Sequence, residues 1–427
     1  MDIKMKIPSI IKYIGSLGVA IVVGMLLLIA VYALPVGNMK ANVARSSEIF
    51  NYEGIYPQMV NGYKYMQLDN YTDSIMLGAA IYDGAEGTIN KAVNNYHPDC
   101  VQLSPELALT NYANEVSAYE YFEVPYGRYW HGYLVPLKLL LLFFDYADIR
   151  ILNFFLQNIL LFLVIKLLCR VRMERYVPAF LLTVFVINPL TAAVSLQFSS
   201  VYYIILLSAI CLLWLTWKGK AAESGINYLF FVTGILTAYL DFLTYPLASF
   251  GILLVLYLIL NRDAVKIDRI RPLLQKMLLW GFGYGGMWGG KWLAGSILMK
   301  GNMFADALNQ ALVRTSSGGP DKAGFSRLDA LARNISVFLK WPFLLIFLIM
   351  AGYFLFQFRK LTVHMVRRNA ALLLFLLAAS LLPVGWTFVM ADHSYEHYWF
   401  TYKEFSISCF ALLSLATYLK TLAWSET

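Results

Sequence analysis

Long apolar blocks separated by short basic turns constrain this chain more than any other feature of its sequence. Hydrophobic residues make up 59% of the 427 residues and charged residues only 14%. The blocks approach the roughly 20 helical residues that a bilayer requires, which predicts an all-α membrane protein in one polytopic domain, 1–427. Ten spans are predicted: a first run ending near residue 35, then 149–168, 177–196, 201–217, 227–243, 246–260, 277–298, 336–358, 370–390 and 399–418.

The basic residues orient these predicted spans. Lys and Arg number 34 against 26 Asp and Glu, a net charge of +8, and they cluster at every second turn. Because cytoplasmic turns retain Lys and Arg, we infer that the surplus positive charge sets the orientation of the spans in the membrane. We therefore predict no nucleic-acid partner. Both termini are predicted in the cytoplasm, with polar loops 39–131 and 300–334 outside. Segment 133–146 is too short to cross and contains Pro136 and Lys138, so we expect a helix on the outer membrane surface.

The first outer loop, 39–131, carries the candidate catalytic acids. It holds eleven acidic residues against five basic ones, and Asp69 and Asp73 are spaced to face the same way on a helix. Either carboxylate could act as a general base. The alternative is that both are only solvated residues, or that they cap a helix that starts near residue 72. Asp73 is the preferred base, because the apolar stretch 75–81 follows it and would fix it to packed structure.

Short motifs follow the first loop in a definite order. The loop leads through Tyr129-Trp130-His131-Gly132-Tyr133-Leu134-Val135-Pro136 into the predicted surface helix, and Arg150-Ile151-Leu152-Asn153 opens the second span. This order resembles the GT-C-fold membrane glycosyltransferases, which also suit the span count. Segments 241–246 and 393–403 are similar to stretches of uncharacterised bacterial members. The chain lacks the adjacent Asp-Asp or Asp-Glu pair that many members carry.

The resemblance implies a function. GT-C-fold enzymes of this kind move a hexose or pentose from a polyprenyl-phosphate donor to a cell-envelope glycan or lipid acceptor, with inversion. The site would face outward from the bacterial cytoplasmic membrane, and the base would be Asp69 or Asp73. The expected partners are the lipid-linked donor, the acceptor and membrane lipids. The sequence assigns no cofactor and leaves participation of a divalent cation open.

Further candidate site residues lie at the same predicted bilayer depth. Those expected to bind the donor phosphate are Arg128, His131, His393, His397 and Lys403. The substrates would bind in a cavity, and the residues expected to line it are Asp241, Tyr129, Trp130, Glu396 and Tyr402. The alternative for Arg128 is an interfacial arginine among aromatic residues, and the alternative for Lys403 is an ordinary helix flank.

Two other functions are alternatives to glycosyl transfer. Segment 393–397 fits the H-x-x-E-H spelling of a zinc protease, but it lies in a short turn without a third ligand, so no metal site is predicted. The four cysteines are scattered and form no disulfide or metal spacing. A transporter or flippase of a lipid-linked or small polar substrate would also explain ten spans. The chain shows neither repeated halves nor much midplane charge, which favours the enzyme.

Overall fold

The computed structural model describes residues 7–265, 270–317, 324–358, 367 and 369–425. The protein is 75% helical with almost no strand, which confirms the all-α prediction. The predicted basic positions at 266–269 and 359–366, and the centre of the second polar loop at 318–323, lie outside the described residues.

The first third of the chain is one long helix followed by a loop of short elements. Its helices are α1 (Ile7–Tyr32), α2 (Gly37–Ser46), α3 (Glu48–Glu53), α4 (Asn70–Ile81), α5 (Thr88–Asn94) and α6 (Pro105–Ala113). A 3-10 turn, Lys64–Met66, lies ahead of α4. Strands β1 (His97–Asp99) and β2 (Phe122–Val124) pair antiparallel, with Pro98 opposite Glu123.

Helices form most of the remaining two thirds. They are α7 (Leu134–Leu141), α8 (Tyr146–Arg170), α9 (Val177–Ile187), α10 (Pro189–Val194), α11 (Leu196–Trp217), α12 (Glu223–Leu240), α13 (Leu247–Leu260), α14 (Arg271–Met299), α15 (Met303–Thr315), α16 (Arg327–Ser336), α17 (Trp341–Phe358), α18 (Ala370–Ser380), α19 (Leu382–Val389), α20 (Ala391–Glu396), α21 (Tyr398–Thr401) and α22 (Ser406–Ser425). Two 3-10 turns, Glu174–Tyr176 and Tyr402–Phe405, precede α9 and α22.

Several helices fit an integral membrane protein. Within the described ranges, four are long and apolar enough to cross a bilayer: Ile10–Tyr32, Tyr146–Arg170, Leu196–Trp217 and Ala370–Val389. The count of ten spans stays a prediction. Segment 177–196, predicted as one span, is two helices, because Asn188 adopts a φ of 63° and Pro189 starts a new helix. The predicted surface segment 133–146 does contain a short helix, which ends at Leu141.

Helices α12 and α14 pack closely because glycines line their contact. A Cβ atom on Gly283 would lie 2.3 Å from the carbonyl oxygen of Phe231, and one on Gly234 would lie 2.2 Å from that of Trp280. No larger side chain fits at either position. Small residues at helix contacts are typical of membrane bundles, where close backbone approach replaces the hydrophobic driving force that water would supply.

Three buried lysines each donate to the carboxyl end of a helix elsewhere in the chain. Lys138 Nζ lies 2.5 Å from the carbonyl oxygen of Ala80 at the end of α4. Lys291 Nζ lies 2.8 Å from that of Val93 in the last turn of α5, and Lys403 Nζ lies 2.6 Å from that of Ile187, the last residue of α9. All three lysines are at most 1% exposed. The partial negative charge of the helix end stabilises each ammonium group.

Buried carboxylates lie at the opposite helix ends. Asp73 accepts from the first two backbone N–H groups of α11, and Glu404 Oε1 accepts from the N–H of Leu247, the first residue of α13, at 3.0 Å. The first turn of a helix carries unpaired N–H groups and partial positive charge, which favours an anion there. The first turns of α11 and α13 therefore provide hydrogen-bond donors for these buried carboxyl groups.

Candidate functional site

Asp73 is buried, and several donors occupy its carboxylate. Its oxygens accept from the hydroxyls of Tyr146 at 2.6 Å and Ser195 at 3.1 Å. They also accept from the N–H groups of Leu196 and Gln197 at 2.9 and 3.0 Å. The residue is 0% exposed. Four donors fill the acceptor sites of both oxygens, so this geometry suits a cap for α11.

Arg150 fixes the surroundings of Asp73. It donates to both carboxylate oxygens of Glu53, at 2.7 and 2.9 Å, and to the Tyr146 hydroxyl at 3.0 Å. A bidentate Arg–carboxylate pair is strongly directional. Arg150 thus ties the start of α8 to α3 in the polar loop. The sequence presented it only as part of a motif, without a partner.

Asp69 has a different environment from Asp73. It is the N-cap of α4, where its Oδ1 accepts from the Thr72 N–H at 3.0 Å. Trp399 and Tyr56 lie near the same carboxylate. Burial raises the pKa of Asp69 to about 7. A carboxyl group with this pKa exchanges its proton near neutral pH, as a general base must.

Arg314, near the end of α15, lies between His393 and His397. Its Nη1 is 2.8 Å from His393 Nδ1 and 3.1 Å from His397 Nε2. Because a guanidinium group can only donate, both ring nitrogens accept. His393 Nε2 then donates to the carbonyl oxygen of Leu243 at 2.6 Å. Burial, with His397 and Arg314 alongside, lowers the pKa of His393 well below its usual value, so the ring is neutral.

Aromatic rings connect Asp69 to this arginine. The Tyr56 ring lies 5.3 Å from the Trp399 ring and 6.3 Å from the Tyr71 ring, between centroids. Trp399 in turn lies 5.4 Å from His397. Tyr56 and Tyr71 are 42% and 40% exposed. Two open tyrosine rings therefore lie beside a buried carboxylate.

Arg128 joins the group through Tyr126. Its guanidinium carbon lies 4.7 Å from the centre of the Tyr126 ring, and its Nη1 lies 3.5 Å from Asp306 of α15. Arg128 and Arg314 both lower the pKa of the Tyr126 hydroxyl, against the larger effect of burial, which shows that both cations lie near it. We call the following residues the Asp69 cluster: Tyr56, Asp69, Tyr71, Tyr126, Arg128, Arg314, His393, His397 and Trp399.

Three predicted site residues lie behind the cluster. His131 is 2% exposed, with its ring nitrogens 2.8 Å from the Tyr133 hydroxyl and from the Tyr126 carbonyl oxygen. Burial lowers the pKa of His131 to about 3, so it carries no charge for a phosphate. Tyr129 and Trp130 are buried at 4% and 1%, and the Trp130 indole donates to the Met287 carbonyl at 2.6 Å. His131 and Tyr129 pack against the Tyr126 ring, whereas Trp130 packs against Tyr239.

The other predicted residues are also placed by packing. Lys403 and Tyr402 are buried, Lys403 at the end of α9 and Tyr402 with its hydroxyl 3.3 Å from the Tyr65 carbonyl oxygen. Asp241 is 3% exposed and accepts from the N–H groups of Leu243 and Thr244. Its contacts are those of a local turn. Glu396 is partly buried at the end of α20, beside the cluster.

The two histidines of the H-x-x-E-H segment share a cation that the protein itself supplies. Arg314 lies where a zinc ion bridging His393 and His397 would have to lie. In the part of the chain that the structure describes, there is no group of three or more His, Cys, Asp or Glu residues suited to a metal ion.

Comparison with known proteins does not indicate a chemistry for this site. No protein-family model, curated protein or solved structure matches this chain.

The sequence anticipated Asp69, Arg128, His393 and His397 as site residues, and these four lie in the Asp69 cluster. Arg314 lies in the second predicted polar loop, 300–334, and no sequence pattern singles it out. Its partners lie 79 and 83 positions further along the chain, a separation with no local sequence signal.

Proposed function

We propose that this protein is a membrane glycosyltransferase of the GT-C type, which moves a sugar from a polyprenyl-phosphate donor to a glycan or lipid acceptor. One observation carries the proposal: a buried carboxylate with a pKa of about 7, Asp69, lies beside two open tyrosine rings. Ring contacts lead from one of them, Tyr56, through Trp399 to His397, which accepts from Arg314. A base, a surface for sugar rings and cations for a phosphate are the parts that this reaction needs.

Asp69 is the proposed base. The acceptor hydroxyl gives its proton to the Asp69 carboxylate while its oxygen bonds to the anomeric carbon of the donor sugar. The bond from that carbon to the phosphate oxygen breaks, and the polyprenyl phosphate leaves with the electron pair. Attack from the face opposite the phosphate inverts the anomeric centre. Asp73, four residues on, supports the site by anchoring α4 to α11.

Arg314 is the proposed partner of the leaving phosphate, with Arg128 beside it. The neutral rings of His393 and His397 accept from Arg314. Among the described residues, no carboxylate forms an ion pair with Arg314 within 4.0 Å. An oriented guanidinium group stabilises the negative charge that develops on the phosphate. His393 and His397 are therefore proposed to position Arg314 and not to bind the phosphate themselves.

Tyr56 and Tyr71 are the proposed sugar platform. Both expose about two fifths of their surface, and both lie near the Asp69 carboxylate. The apolar face of a sugar ring packs on an aromatic ring, while its hydroxyls bind polar groups at the edge. Such a platform would hold the acceptor with one hydroxyl directed at Asp69.

The experiment is a transfer assay with the purified full-length protein in phospholipid vesicles. Polyprenyl-phosphate-linked hexoses and pentoses are supplied with labelled sugar, and release of polyprenyl phosphate is followed together with the labelled product. Release of both from one donor supports the enzyme. Movement of an intact donor across the bilayer, without cleavage of its sugar–phosphate bond, would identify a flippase instead.

Asp69→Asn is the matched variant for this assay. Asparagine caps a helix as well as aspartate does, so α4 is preserved. Transfer should fall by roughly a hundredfold or more, because the amide cannot accept the proton. Wild-type turnover in Asp69→Asn, measured with the donor that the unmodified protein cleaves fastest, would remove the base from the proposal.

A further inference from the structure

A pocket rich in arginine lies at the other end of α8 from the Asp69 cluster. Its volume is about 230 Å³, and Arg172, Arg175 and Arg262 line it, with Glu174 and Tyr176 between them. Helix α8 has 25 residues, which is about 37 Å of helix and enough to cross a bilayer. The pocket and the cluster therefore lie at opposite membrane surfaces, and the basic turn at the pocket is predicted to be cytoplasmic.

The arginines outnumber the acids that face the pocket. Arg262 lies 4.0 Å from Asp263, whose side chain is 90% exposed, and its Nη1 is 3.1 Å from the sulfur of Met173. Over the described ranges, Arg172 and Arg175 form no ion pair within 4.0 Å, and both are exposed. Three guanidinium groups against the carboxylates of Glu174 and Asp263 leave the pocket cationic. Its chemistry favours an anion with several oxygens, such as a phosphate.

An apolar stripe begins at the pocket and runs into the membrane. After Arg175 the exposed residues of α9 are Pro178, Leu181 and Phe185, at spacings of three, three and four that keep them on one helix face. Leu181 and Phe185 are each 40% exposed. A phosphate held in the pocket would have a path for an attached hydrocarbon chain along this stripe.

We propose that this pocket binds the phosphate of an anionic phospholipid headgroup, with an acyl chain lying along α9. Basic pockets between membrane helices at the cytoplasmic surface have the charge and the depth for such headgroups. Free phosphate offers the same oxygens without the chain, so the two sources differ in their use of Leu181 and Phe185. The proposal is independent of glycosyl transfer.

The test is lipid binding to the purified full-length protein in neutral detergent. Short-chain phosphatidylglycerol, short-chain phosphatidylcholine and inorganic phosphate are titrated separately, with bound lipid counted by native mass spectrometry and phosphate detected by competition. Phosphatidylglycerol should bind about tenfold more tightly than phosphatidylcholine. The double variant Arg172→Gln/Arg175→Gln should lose that preference. The matched control is Lys218→Gln/Lys220→Gln. These two exposed lysines lie at the same end of α8 as the pocket, because the neighbouring Trp217 ring lies against Arg170, the last residue of α8.

Each alternative outcome contradicts the proposal in a specific way. Equal binding of the two lipids, or equal loss in the lysine control, would mean that only general surface charge is involved. If inorganic phosphate displaces phosphatidylglycerol at equal concentration, the site is for a soluble anion. Arg172→Gln/Arg175→Gln must keep the melting temperature of the unmodified protein in detergent. If it does not, single variants and Leu181→Ser are compared, and an unchanged lipid preference in all of them overturns the proposal.

Discussion

The hydroxyl of Tyr146 donates to the carboxylate of Asp73 at 2.6 Å, which joins the first residue of α8 to the polar loop. Three further donors share the same carboxylate. Asp73→Asn would replace one acceptor oxygen by an amide NH₂ group facing a backbone N–H of α11, which can only donate. We expect unfolding to become easier by about 3 kcal/mol, since buried hydrogen bonds to a charged group contribute most when lost singly. Thermal unfolding in detergent measures this.

Tyr146→Phe provides the control for Asp73→Asn. It removes one donor and leaves the two backbone N–H groups of α11 in place, so its loss of stability should be smaller. If Asp73→Asn folds as stably as the unmodified protein but no longer transfers sugar, Asp73 and not Asp69 is the base.

Transfer should depend on pH through Asp69. Its pKa of about 7 means that the carboxylate is the minor form at pH 6 and the major form at pH 8. Activity should therefore rise through pH 7 and level off above it, because only the deprotonated form accepts a proton. A rate independent of pH between 6 and 8, with donor saturating, would argue against this assignment.

The same group predicts an opposite trend for stability. The pKa of Asp69 is higher in the folded protein than its ordinary value of 3.8, so the folded state holds the proton more tightly. Stability from Asp69 is complete below pH 4 and is lost as the pH rises through 7. Asp69→Asn, which has no charge to bury, should unfold at a higher temperature than the unmodified protein at pH 8. Equal melting temperatures at that pH would contradict the shift.

Arg314→Gln should reduce transfer by roughly a hundredfold, because the leaving phosphate loses its oriented cation. Arg314→Lys should recover only part of this rate, since an ammonium group cannot donate to two histidines and a phosphate in one plane. Lys300→Gln is the control, as an exposed lysine in the same polar loop. If Lys300→Gln reduces the rate as much, net loop charge and not Arg314 is responsible.

Tyr56→Ala and Tyr71→Ala should each raise the KM for the acceptor about fivefold to tenfold, from loss of stacking on the sugar. Their effect on melting temperature should be small, since both rings are partly open to solvent. Tyr52, which is 94% exposed in the same loop, supplies the control variant Tyr52→Ala. An equal KM effect in Tyr52→Ala would point to a general loop disturbance.

Topology can be tested with single cysteines in a variant that lacks the four native ones. Cysteines at Ala85 and Ser317 should react with a membrane-impermeant reagent added to whole cells, and cysteines at Glu174 and Lys220 should not. Ala85 and Ser317 lie at the Asp69 end of the protein, whereas Glu174 and Lys220 lie at the opposite end. All four positions are exposed. Labelling of Glu174 and Lys220 alone would place the Asp69 cluster inside the cell.

Helical class and the segments of the site were predictable from sequence, because apolar blocks and polar loops record burial directly. The relation between Asp69 and Asp73 was not. Their spacing predicts a shared helix face, but Asp69 precedes the helix, with φ of −126° and ψ of 73°, and folds back over its first turn. The periodicity of a helix does not extend to its cap residue.

Long-range partners account for the rest of the difference. Lys403 was expected to bind phosphate because it is a lysine near the predicted membrane surface. Its actual partner is the carbonyl of Ile187, more than 200 positions earlier. A backbone carbonyl is available at every residue, so no sequence pattern marks the one that a buried lysine will find. Arg314 and its two histidines are hidden from sequence analysis for the same reason.

The placement of Lys403 has a consequence for biosynthesis. The carboxyl end of α9 leaves the ribosome early, but the ammonium group that satisfies it is synthesised more than 200 residues later. Until then the Ile187 carbonyl and the lysine are each unsatisfied polar groups in or near lipid, which is costly. We expect nascent chains truncated before Lys403 to remain incompletely assembled and open to membrane proteases, so that a protected fold requires synthesis to proceed past Lys403.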